Sequence, residues 1–284
     1  MIFRLARETL RPHLGTVDLH RQNLSIVRLS AVCRFWRAVA VGDAALWSNI
    51  AFSTSRRSTI RCATEFLQRS RGTMFTVQII NVERDAISNI AQVSTLMDKI
   101  ARQHDRIASF EAVGLSAIVA EALVYPANNL THLTIKGCGS EELPLVFGGQ
   151  LPRLRQLVLS NPSGWSLRAL PSVIKAAIYY RGDRNISIKS LTNFLDGAGN
   201  LEQLRLSRLW CSRADRRHVP QPPITLPSLR ELRIVFCDTS RILGHLRLPT
   251  STQTSILGGY EPNNRHMLQY LPTAATFQPL LHGT

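Results

Sequence analysis

Residues 201–207 read LEQLRLS, and the same cadence returns as LTHLTIK at 130–136, LRQLVLS at 154–160 and LRELRIV at 229–235. Each fits L-x-x-L-x-[IL], whose closing alternation is that of a strand with one face buried and the other open. A fifth, looser copy is IASFEAV at 107–113, so the starts lie 23, 24, 47 and 28 residues apart. The doubled interval predicts one more copy inside it, and VIKAAIY at 173–179 fills the place. A unit in the twenties that carries one strand needs a return segment to bring the chain back beside its start. Helical patterns at 94–104 and 190–197 supply such segments, and Leu-Pro pairs at 151–152, 170–171 and 226–227 sit just ahead of copies, where a strand boundary accepts proline. TSILGGY and ILGHLRLP, within 241–260, add one or two further strands, and a proline-containing tail follows residue 261.

This period and consensus resemble leucine-rich repeats, in divergent form. The asparagine or cysteine position of that family is not clean here, although Cys138, Asn161 and Cys237 fall just after or close to strands. The resemblance implies an α/β fold built as an irregular leucine-rich-repeat solenoid, a curved parallel sheet with helical or irregular return segments. A generic α/β domain with leucine-rich strands is the plainer alternative.

Ahead of the repeats lies LSIVRLSAVCRFWRAVAVGDAALWSNI, residues 24–50. Ile26, Leu29, Cys33, Trp36 and Ala40 recur at steps of three and four, with Val32 and Val39 widening the stripe, which predicts one amphipathic helix. Asn23 or Ser25 is the candidate cap, Gly42 and Asp43 stop the helix, and 44–50 restart as a short turn that returns Leu46 and Trp47 to it. Residues 8–23 read as a connector and 51–61 as a polar turn, followed by a short helix over 63–71 and a strand over 74–82. Cys33 and Cys237, among apolar neighbours, read as small core residues.

The order Leu29, Val32-Cys33, Trp36 and then Leu46-Trp47 resembles the second half of the F-box of fungal F-box proteins, and MIFRLAR at 1–7 is similar to the end of its first helix. The family's Leu-Pro-x-Glu opening is absent: either the chain begins inside the motif or the first helix has diverged. The resemblance implies an F-box-like helical module at 1–55, an array at 60–260, and a tail or C-terminal cap at 261–284. It implies further that Ile2, Phe3, Leu29, Val32, Cys33, Phe35, Trp36, Leu46 and Trp47 form the module's core or its adaptor-binding surface. The apolar side chains of this stretch exceed what one small core requires, which marks an interface, with burial against the repeats as the alternative.

The implied function is that of a non-catalytic substrate receptor of a cullin-RING ubiquitin ligase, the module holding the adaptor subunit and the repeats an unidentified target protein. A repeat scaffold that no longer couples to the ligase is the second reading. Composition bounds both. The 284 residues carry 34 Lys and Arg against 19 Asp and Glu, a net charge of +15, spread along the chain. Nucleic acid is therefore not the expected partner, because a groove for it calls for a basic stripe. The five cysteines lack a CxxC pair, so neither zinc nor a disulfide framework is expected. The longest apolar run, 112–120, is too short to span a bilayer. No catalytic or nucleotide-loop motif stands out, Gly137-Cys138-Gly139 reading as a repeat turn. The expectation is an intracellular, cytoplasmic or nuclear protein with no cofactor, no metal, no membrane partner and no enzymatic activity.

Overall fold

The computed structural model describes residues 19–80, 89–114, 117–137, 146–160, 170–180, 185–186, 188–211, 223–237, 239–257 and 276–278. Ile2, Phe3, Cys138, Asn161 and most of the tail lie outside them. The protein is α/β, with parallel strands and helical returns. It divides into two compact units, Met1–Leu130 with Val146–Gln150, and Thr131–Leu145 with Leu151–Thr284.

In the first unit α1 (Leu19–Ser30) and α2 (Arg34–Gly42) lead through a 3-10 turn, Ala44–Trp47, into β1 (Asn49–Ser53). Then come α3 (Arg57–Arg69), β2 (Phe75–Ile80), α4 (Ile90–Ala101), β3 (Ile107–Val113) and α5 (Ala117–Ala122). The strands run parallel in the order β1-β2-β3. Register aligns Ile50, Val77 and Phe110 in one buried row and Phe52, Ile79 and Ala112 in the next. Phe110 meets Phe147 edge to face at 5.5 Å, which extends that core.

Several local expectations change. The single amphipathic helix is two helices, broken at 31–33, because Cys33 adopts extended backbone and its Sγ accepts the Trp36 amide at 3.5 Å as an N-cap. Cys33 is consequently exposed and not a core residue. Neither Asn23 nor Ser25 caps a helix, since α1 starts at Leu19, within the stretch expected to be a connector. Asn23 is instead buried, and its Nδ2 donates to Asn49 O at 2.8 Å, so α1 closes over β1 and satisfies a carbonyl there. The expected polar turn at 51–61 is the end of β1 and the start of α3; the run Asn49–Phe52 is buried on both faces and so lacks the alternation of a half-buried strand. The stop and restart at Gly42 and Asp43 stands as expected, with the Asp43 carboxylate accepting the Ala45 amide at 3.1 Å.

A clamp holds the end of α3. Arg106 donates from Nε and Nη2 to Thr73 O at 2.9 and 2.7 Å and from Nη2 to Ser70 Oγ at 2.8 Å, while its plane covers Phe75 at 5.1 Å. Burial pushes its guanidinium below the ordinary arginine value. Lysine lacks the planar fork that spans these acceptors. Arg106→Lys is therefore expected to destabilise the first unit by about 1–3 kcal/mol, read as a lower urea midpoint with unchanged m-value.

The second unit contains the copies that follow IASFEAV, which is β3 of the first unit. β4 (His132–Lys136), β5 (Gln156–Ser160), β6 (Lys175–Tyr179), β7 (Gln203–Ser207), β8 (Glu231–Val235), β9 (Gln253–Leu257) and β10 (Thr276–Gln278) pair in parallel in that order. Helical returns include α6 (Ile188–Asp196) and α7 (Thr239–Gly244). Register stacks Leu133, Leu157, Ala176, Leu204 and Leu232 in one row and Ile135, Leu159, Ile178, Leu206 and Ile234 in the next, all buried. The first leucine of the consensus precedes the strand. Leu154, Val173, Leu201 and Leu229 close turns by donating their amides to Leu151, Leu170, Ala198 and Leu226 carbonyls, with every one of these side chains buried. The leucine of each Leu-Pro pair thus anchors the turn that launches its strand.

Several strands end on a left-handed residue. Gly114 follows β3, Gly137 follows β4, Arg208 follows β7 and Phe236 follows β8, with φ of 72°, 67°, 57° and 53°. Glycine adopts this region freely, whereas a side chain there is strained. Arg208→Gly is accordingly expected to stabilise the second unit by up to about 1 kcal/mol and Gly137→Ala to destabilise it by a similar amount, both read from thermal unfolding.

Candidate functional site

Two surfaces concentrate the chemistry, and each arises from how its element is packed. On α2 only Ala40 is buried. Phe35 is 72% exposed and Val39 stands open on the same helix, Val32 is 63% exposed in the corner just before it, and Leu24 and Val27 are open on α1. Leu29 and Trp36 are half-buried. Arg37 Nε donates to Ser30 O at 3.3 Å, which braces the corner between the two helices and fixes how the patch is presented.

Leu46 and Trp47 belong to the core instead. Trp47 is buried, its indole N–H donates to Ala40 O at 2.7 Å, Phe66 packs edge to face at 4.8 Å and the Arg69 guanidinium lies over the ring at 4.5 Å. Of the residues that the F-box resemblance singled out, Ile2 and Phe3 lie outside the described residues, and the other seven divide into buried Leu46 and Trp47, half-buried Leu29 and Trp36, and exposed Val32, Cys33 and Phe35. Leu24 and Val27 were not among the candidates. Their three-residue spacing on one helix was the available clue, and it was masked by treating the stretch as one uninterrupted stripe.

The second surface is the open face of the repeat strands. Alternation puts one set of side chains inward and the other outward. Register gives the outward rows Gln156, Lys175, Gln203 and Glu231, then Val158, Ala177, Arg205 and Arg233. Small Ala177 between bulkier neighbours leaves a hollow of about 260 Å³, lined also by Tyr179. Arg205 and Arg233 are paired partners on adjacent strands and are exposed. Sequence reasoning passed over this pair, though it occupies the x before the last position of L-x-x-L-x-[IL] in two copies.

Among the described residues no group of three or more His, Cys, Asp or Glu is placed to hold a metal ion. Burial pushes the Cys62 thiol up, which keeps it protonated and a poor nucleophile. Cys237 is buried as expected, and its Sγ accepts the Leu209 amide from the neighbouring repeat at 3.4 Å, tying one turn to the next. Among the described residues no helix is long and apolar enough to cross a membrane. In comparisons with known proteins, no family model, no curated protein and no solved structure matches the chain.

Proposed function

We propose that this protein is a non-catalytic receptor that couples a target protein to a cullin-RING ubiquitin ligase, through an F-box-like module and a divergent leucine-rich-repeat array. What carries the reading is the apolar patch of Phe35 and Val39 on a helix that buries only Ala40, with Val32 exposed in the corner just before it. Such a helix adds little to its own core and has much to gain from a partner, since covering a large apolar side chain is worth about 1.5–3 kcal/mol. The motif order Leu29, Val32-Cys33, Trp36, Leu46-Trp47 favours the ligase adaptor as that partner. The array would act by proximity, raising the effective concentration of target lysines near a ubiquitin-loaded enzyme.

Co-purification from cells, scored for adaptor and cullin, tests the proposal. Both are expected with the intact chain. Phe35→Asp is expected to lower adaptor affinity by at least about 30-fold, as loss of a central apolar anchor does, while its melting temperature stays within a degree or two of the parent because the residue is already exposed. Absence of adaptor and cullin from the parent pull-down leaves the scaffold without ligase coupling.

A further inference from the structure

We propose that the open face of the second unit binds an acidic protein segment, with carboxylates seated between Arg205 and Arg233 over the hollow at Ala177. This rests on the reading of the array as the recognition half of the receptor and names the partner chemistry of that half. Arg205 and Arg233 are register partners on adjacent strands, so their side chains leave the sheet about 4.8 Å apart. Like charges placed opposite each other repel, and neither guanidinium has a hydrogen bond or ion pair among the described residues. An anion lodged between them relieves the repulsion and gains forked hydrogen bonds.

The lining also decides which anion. Lys175 adds a third positive charge, but Glu231 stands in the same hollow, two residues before Arg233 and in register with Gln203. A phosphate dianion or a polyphosphate backbone brought here is repelled by Glu231 more strongly than a single carboxylate is. Gln156 and Gln203, also in the lining, supply neutral amides able to bond a peptide backbone. Val158 and Ala177, apolar side chains among the polar ones of the lining, offer a surface for the aliphatic part of an extended segment lying across the strands. An acidic stretch of polypeptide meets all of these conditions.

The test uses the purified full chain and fluorescein-labelled peptides of five Glu-Gly repeats, five Gln-Gly repeats and five phosphoserine-Gly repeats, with a twenty-residue oligothymidylate, read by anisotropy. The Glu-Gly peptide is expected to bind, and Arg205→Ala and Arg233→Ala each weaken it by about tenfold. Arg57→Ala with Arg61→Ala on α3, exposed residues of the first unit, leaves it unchanged. Glu231→Gln tightens binding and improves the phosphoserine peptide more than the Glu-Gly peptide. Equal binding of Glu-Gly and Gln-Gly peptides, an equal loss from the α3 substitutions, or tighter binding of oligothymidylate or phosphoserine peptide to the parent overturns the proposal. No adaptor is present in these titrations, so a failure of ligase coupling leaves their outcome untouched.

Discussion

Trp47→Ala is expected to destabilise the first unit by about 3–5 kcal/mol. Three losses combine. Truncation opens a cavity where the buried indole packs edge to face on Phe66. It strips Ala40 O, at the one buried position of α2, of the indole N–H that reaches it at 2.7 Å. It also removes the ring beneath the Arg69 guanidinium. Because Trp47 ties α2 to α3, the cost falls on the anchoring of the exposed patch as well as on the core. Trp47→Phe separates the terms: packing is largely kept, the hydrogen bond is lost, and the expected cost is about 1–2 kcal/mol. Urea unfolding followed by far-UV circular dichroism measures both. Parent-like midpoints for Trp47→Ala would show that this residue does not hold the helices to the strands.

Leu204→Ala is expected to cost about 2–5 kcal/mol in the second unit. Leu204 is buried in the row that runs Leu157, Ala176, Leu204, Leu232, where Ala176 is already small. A second alanine beside it leaves adjacent gaps that a parallel sheet at fixed strand spacing cannot close. In an array whose members touch only their neighbours, the damage stays near the substituted copy. Amide exchange should therefore quicken most in β6, β7 and β8. A uniform loss of protection through both units would contradict that picture.

The repeat strands were legible because their chemistry is redundant. From Leu133 to Ile234 each copy repeats the same inward alternation, so a weak member such as Lys175–Tyr179 could be placed by interval alone. The break in the organising helix was not legible. Neither Gly nor Pro marks 31–33, the apolar spacing continues across the corner from Leu29 to Trp36, and cysteine is a weak cap that sequence reasoning files with core residues. β1 was missed for the opposite reason, since a strand covered on both faces shows no alternation and Ser53–Arg57 pulled the eye toward a turn. The sequence marked the stretch that carries the exposed apolar side chains, but whether Phe35 or Trp47 faces solvent depends on where α3 packs, a tertiary fact carried by Phe66 and Arg69 many residues away. The arginine pair depends on register, which no single strand contains.

Ligase coupling through the α2 patch is the central claim, and the most direct measurement of it is calorimetric titration of purified ligase adaptor into the purified chain, beside Phe35→Asp and Val32→Asp. The account predicts saturable binding by the parent, with a negative heat-capacity change from buried apolar surface, and loss of that binding in both variants at unchanged melting temperature. No heat with the parent, or binding equal in all three proteins, would contradict it.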